Sequence, residues 1–230
     1  MLRAHPFYRL PLLLQLPLAV LLFVAALAPW LLALQVPLLW LAAPLLLSWT
    51  VFATTPLLRL LGFYRYYSPY LCVMLPSSRR LDIHLGTSFD HLLTMRPWDL
   101  GRAAHAALLV GALDGLLAIA GEVERGTLEG DVVVEGTSWF FTASSAERFG
   151  FELAAPTPFG YLTVIVSLFD ILMMYSFTHG HPTFPPIRGI RRAVTTGGKL
   201  LTQRRRLLAL RDRLARALPK PRPAPTPRLR

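Results

Sequence analysis

The sequence predicts a membrane-anchored α/β protein: a two-helix transmembrane hairpin, a small cytoplasmic domain with a short parallel or mixed sheet, and a C-terminal basic amphipathic helix. Three observations predict it. Charge is segregated: the 230 residues are 53% hydrophobic with a formal net charge of +11, yet no charged residue lies between Leu10 and Leu58, and most of the basic excess follows Arg188. An apolar block with basic flanks marks an integral membrane protein. Between Cys72 and Pro158 the apolar period switches between that of a strand and that of a helix. Beyond Gly197 leucine recurs at Leu200, Leu207 and Leu214, and at Leu201 and Leu208, among arginines.

Residues 1–62 read as the hairpin. Stretches 10–34 and 36–58 each exceed the roughly 20 residues a helix needs to cross a bilayer, and Pro37 marks the turn. Pro17, Pro29, Pro44 and Pro56 are tolerated in membrane helices. A cleaved signal peptide fits less well, because the apolar core is too long and no small-x-small site precedes Pro37 clearly. Arg3 and Arg9 precede the hairpin and Arg59, Arg65, Arg79 and Arg80 follow it. The positive-inside rule therefore puts both termini in the cytoplasm, with the hairpin in an inner (plasma) membrane. The aromatic exit, 62–71, reads as an interfacial belt.

Residues 63–187 read as the α/β domain. "RRLDIHL" alternates Leu81, Ile83 and Leu85 with Asp82 and His84, as a half-buried strand would. Gly86 breaks it, and a short helix follows with Ser88 as N-cap and Asp90 in its first turn. Residues 99–125 form the longest helical pattern, stopped by Gly126. "VVV" at 132–134 is a second strand, followed by a capping box (Ser144, Glu147) and a third short strand at 151–154. Residues 160–177 are apolar but hold Asp170, and crossing here would export the arginine-rich remainder. They are expected buried or on the membrane surface.

Gly-Thr-Ser occurs twice, at Gly86-Thr87-Ser88 and Gly136-Thr137-Ser138, each after a strand. A crossover joining parallel strands puts both strand C-termini on one sheet edge, where open α/β sheets bind ligands. Glycine permits a tight turn, the hydroxyls cap a helix, and a helix N-terminus attracts an anion. The six residues are thus the expected binding set for an anionic ligand of nucleotide, coenzyme or lipid type. The plainer alternative is that each tripeptide only ends a strand and starts a helix. Neither copy is a P-loop or a dinucleotide loop.

Candidate catalytic groups are Asp90 with His91 as an acid–base pair, and Ser88 as a nucleophile at a strand-to-helix turn. The G-x-S-x-G elbow is absent, because Asp90 and Phe140 occupy its last position in the two copies. No reaction or cofactor follows from these groups. His179 and His181 stand two apart with no acid or thiol nearby, so they read as a solvated loop and no metal is expected. The lone Cys72 excludes an intramolecular disulfide framework and a thiolate zinc site. Ala146, Phe149, Gly150 and Phe151 resemble the ending of the acetyl-coenzyme A-dependent acyltransferases of the GNAT type over about ten residues. That family's pyrophosphate loop has no counterpart, since Trp98 stands where its Arg or Gln belongs ahead of Gly101.

Residues 188–218 read as one basic amphipathic helix lying on anionic lipid head groups. A membrane-protein partner comes second. Nucleic acid is not expected, as no aromatic or recognisable module accompanies the arginines. Residues 219–230 alternate proline with basic residues and are expected to be disordered. Two functional expectations follow: a membrane-anchored module binding an anionic ligand at the twin tripeptides, or a non-catalytic subunit or scaffold of a bacterial inner-membrane complex.

Overall fold

A computed structural model describes residues 6–94, 100–138, 143–185 and 189–218. The expected disordered tail lies outside them. The hairpin is α1 (Leu12–Gln35) and α2 (Ala43–Leu60), joined through a 3-10 turn at Pro37–Ala42. Its two arms, Leu12–Gln35 and Pro37–Leu60, are long and apolar enough to cross a membrane. In α1, Ala19, Ala26 and Ala33 are fully buried at seven-residue spacing, while most of the leucines stand outward. Small residues let two helices approach closely where lipid supplies no hydrophobic drive between them. Indole N–H groups join the arms: Trp30 Nε1 donates to Thr50 Oγ1 at 2.7 Å and Trp49 Nε1 to the Ala25 carbonyl at 3.2 Å.

The domain is built on a mixed six-stranded sheet of β1 (Tyr64–Ser68), β2 (Leu71–Met74), β3 (Arg80–Leu85), β4 (Val133–Ser138), β5 (Glu152–Ala154) and β6 (Arg191–Thr196), in the order β1-β2-β3-β4-β6-β5. Only β3 and β4 pair in parallel, with Leu81 opposite Val134. Their crossover runs through α3 (Ser88–Thr94) and α4 (Arg102–Glu124). One sheet face carries Val73, Leu81, Ile83, Val134 and Ala193 against Leu113, Leu116 and Ile119 of α4. The register is pinned by Glu135, buried in β4 between Arg80 of β3 and Arg192 of β6. Helix α4 is also long and apolar enough to cross a membrane. Half of it is buried, however, and its acids pair within the domain: Asp114 with Arg211, Glu122 with Arg65 and Glu124 with Arg204.

Four expectations are corrected. The aromatic exit of the hairpin is strand β1, its β-prone Tyr-Arg-Tyr-Tyr run pairing with β2. Residues 188–218 are not one helix but β6 followed by α8 (Gly197–Thr202) and α9 (Arg204–Arg216). Thr196 makes the switch, capping α8 by accepting from the Lys199 amide at 3.3 Å. Much of the leucine stripe expected on lipid packs inside the domain instead: Leu200 and Leu207 are fully buried and Leu214 is partly so, with α8 and α9 lying on α4, while Leu208 stays exposed. Finally, the second tripeptide is no strand-to-helix turn. Gly136, Thr137 and Ser138 continue β4, facing Ala193, Arg192 and Arg191 of β6, and α5 (Ala143–Phe149) begins only afterwards. Gly136 is needed for close approach, since a Cβ there would lie 2.9 Å from the Ile83 carbonyl oxygen.

Residues 160–177 fall in two helices, α6 (Pro158–Val166) and α7 (Leu168–His179), meeting at a 69° bend.

Candidate functional site

The parallel pairing of β3 and β4 places both tripeptides at one end of the sheet, and there they wall the same cavity. Gly86 and Thr87 come from the loop after β3, and Gly136, Thr137 and Ser138 from the end of β4. The cavity measures about 220 Å³, well above the roughly 10–15 Å³ that a single water needs. Its walls are mainly apolar, supplied by α4 (Leu108, Ala112), α6 (Val164) and α7 (Ile171, Met174). Val51 of the hairpin helix α2 also joins the lining. This is the sheet edge at which α/β folds hold ligands.

The amides of the first tripeptide are turned to partners within the domain. Every amide of the first copy is already engaged: Gly86 N–H donates to the Tyr70 carbonyl at 3.1 Å, Thr87 N–H to Asp90 Oδ2 at 3.0 Å, and Ser88 N–H to Asp170 Oδ1 at 3.1 Å. The Thr87 hydroxyl also donates to Asp90 Oδ2, at 3.0 Å. Two carboxylates therefore stand where an anion would have to bind. In the second copy Gly136, Thr137 and Ser138 run extended beside Ala193, Arg192 and Arg191 of β6. Gly86, Thr87, Gly136, Thr137 and Ser138 all contribute wall to the cavity.

Ser88, Asp90 and His91 are each at most 1% exposed, and none lines the cavity. Asp90 is a structural acceptor, taking a third hydrogen bond from the Tyr66 hydroxyl at 2.6 Å. The His91 ring stacks on Tyr70 with centroids 5.8 Å apart, and burial holds its pKa below the ordinary histidine value against the opposing pull of Asp90. The sign of the consequence is fixed. The unfolded chain takes up a proton near pH ~6.5 that the folded chain refuses. His91 thus contributes stability above that pH and withdraws it as pH falls. The melting temperature should drop between about pH 7.5 and 5.5, and the drop should be shallower in His91→Phe. Equal slopes in the two proteins would show that His91 is not the group responsible.

Chemistry at the cavity comes from other residues. Asp170, His84, His105 and His179 line it. His84 Nε2 lies 3.3 Å from Asp82. His179 belongs to the last turn of α7 rather than to a solvated loop, with Nδ1 2.8 Å from the Tyr175 carbonyl oxygen. His181 is exposed beyond that helix, the two rings 6.3 Å apart. Cys72 also reaches the wall, but burial pushes its thiol well above the usual range, so it is no ready nucleophile. Among the described residues no three His, Cys, Asp or Glu side chains form a metal-holding group. Sequence reasoning misses His105, a single histidine in an Ala-rich helix with no local signal, and reads Asp170 only as costly in lipid. No family model, no curated protein and no solved structure matches the chain.

Proposed function

We propose that the protein is a membrane-anchored cytoplasmic module that binds an amphipathic ligand of lipid type. The apolar part of the ligand occupies the cavity and its polar end lies toward His105 and His179, at the C-terminal end of α7. The observation that carries this reading is the composition of the wall: both tripeptides, apolar side chains of α4, α6 and α7, and Val51 of the membrane helix enclose one space. Apolar clefts with a few polar groups at one end are the common form of small-molecule sites. Of the three ligand types the sequence allows, a nucleotide or coenzyme phosphate finds the Thr87 and Ser88 amides occupied by Asp90 and Asp170, whereas an acyl or isoprenoid chain meets compatible walls. Ser88, Asp90 and His91 stand outside the wall, so the reading is of binding. Positive-inside charge bias supports an inner-membrane location with both termini cytoplasmic. The exposed Arg205, Arg206 and Arg213 of α9 support contact with anionic head groups by charge alone.

Filling the cavity tests this. Ala112→Phe narrows it from the α4 side. The detergent-solubilised protein is expected to bind a fluorescent long-chain fatty acid, and Ala112→Phe to lose at least about tenfold in affinity, a change of ~1.4 kcal/mol. Equal affinity in the two proteins sinks the reading. Stabilisation by nucleotides or coenzyme A, unaffected by Ala112→Phe, would return the site to the small-anion class.

A further inference from the structure

We propose that α6 and the first turns of α7 are embedded in the membrane layer from which the hairpin emerges, with bilayer lipid covering their outer face. Tyr161, Leu162 and Ile165 share one side of α6, Leu168 and Phe169 open α7 just past the bend, and each is at least 40% exposed, Ile165 reaching 63%. The two helices carry a single acid, Asp170, which is turned to the Ser88 amide, and no lysine or arginine. The opposite side, through Val164, Ile171 and Met174, lines the cavity. An apolar patch of this kind on a soluble surface marks an interaction site.

The occupant follows from continuity with the hairpin. Helices α3 and α7 both pack on α2, and the consecutive residues Ala53, Thr54, Thr55 and Pro56 of α2 are buried. Phe52 meets Phe89 of α3 with ring centroids 5.3 Å apart. These positions precede Arg59, the first charge after the apolar run. Val51, which shares the cavity with α7, stands eight residues before Arg59, about 12 Å along the helix axis. An element seated there is held at head-group to upper acyl depth. Leu92 and Leu93 of α3, exposed at 51% and 44%, extend the same apolar margin. The nine residues of α6 rise only about 13.5 Å, too little to cross, and the 69° bend then redirects the chain. The cavity then has a lipid-facing outer wall.

Depth-dependent quenching tests this on the full-length chain. The only cysteine, Cys72, is buried, so Cys72→Ser provides a background in which Ile165→Cys or Phe169→Cys takes a polarity-sensitive fluorophore without disturbing the core. Leu31→Cys on the hairpin and Thr127→Cys in the exposed turn after α4 serve as lipid and water references. In vesicles of phosphatidylethanolamine and phosphatidylglycerol, labels at Ile165 and Phe169 should be quenched by acyl-chain nitroxide lipids as the Leu31 label is, and should resist iodide. Iodide quenching like that at Thr127 overturns the proposal and leaves the face to water or to a soluble partner. A blue-shifted label that neither quencher reaches also overturns it, and indicates a second copy on this face. No ligand enters the experiment, so its failure leaves the cavity reading untouched.

Discussion

Asp90→Ala should unfold the domain rather than inactivate it. The carboxylate is 1% exposed and accepts from the Tyr66 hydroxyl and from both the amide and the hydroxyl of Thr87. Truncation strands three donors without water. At about 1–3 kcal/mol for each unsatisfied buried group, the loss is at least about 3 kcal/mol, a large share of the roughly 5–15 kcal/mol that holds a domain together. Damage should also spread to the hairpin. The Arg59 guanidinium lies over the rings of Tyr8 and Tyr66 at 3.5 and 4.1 Å from their centroids, so the tyrosine that Asp90 anchors also ties α2 to the sheet. The expected ranking of melting temperature in detergent is wild type, then Asp90→Asn, then Asp90→Ala, because asparagine keeps one acceptor oxygen. Limited proteolysis near residues 61–63 should accelerate in the same order. A folded Asp90→Ala protein with a wild-type melt would make Asp90 a functional acid after all.

The second large effect is expected from α4. Gly111 and Gly115 face the β1–β2 turn so closely that a Cβ at Gly111 would lie 2.4 Å from the Tyr70 ring, and one at Gly115 2.4 Å from the Leu71 side chain. The Ser68 hydroxyl donates to the Gly111 carbonyl at 2.6 Å, a bond that only this separation allows. Each alanine gains about 1 kcal/mol of helix propensity over glycine, yet overpacking typically costs about 1–3 kcal/mol, and bulk beyond a methyl more. Gly111→Ala with Gly115→Val should therefore lower the melting temperature strongly and free the β1–β2 hairpin from α4. Adding Leu71→Ala to Gly115→Val should recover part of the loss, a coupling that only direct contact produces. Additive effects would mean that α4 and Leu71 adjust independently.

The parts of this molecule legible in its sequence are those fixed by short-range pattern. The uncharged run from Leu10 to Leu58 announces the hairpin, and the alternation of Leu81, Ile83 and Leu85 announces β3. The long helical pattern between two strands predicts a parallel pair, and β3 and β4 are parallel. What fails depends on partners distant in sequence. Arg191–Thr196 reads as the start of a basic helix until β4 is there to pair with it, and that pairing alone draws the second Gly-Thr-Ser into a strand. The leucine stripe of α8 and α9 says that an apolar surface will cover it. Whether lipid or α4 does so is decided by the fold. Topology places the two tripeptides at one sheet edge, but their chemistry is not legible locally, because Asp90 and Asp170 fill the donors and Asp170 comes from 82 residues away.

Strand β5 has β6 as its sole neighbour in the sheet, while β6 itself sits between β4 and β5. The order of synthesis is therefore at odds with the order in space. Glu152–Ala154 leaves the ribosome with nothing to pair with and waits until Arg191–Thr196 has been made. By then the hairpin, which precedes the whole sheet, has long been made. The nascent domain spends that interval as a four-stranded fragment joined to the hairpin, with one side of β4 open. Non-local pairings close slowly, and open strand edges invite wrong partners. Strand β6, made after every strand it joins, is the one that seals the fragment.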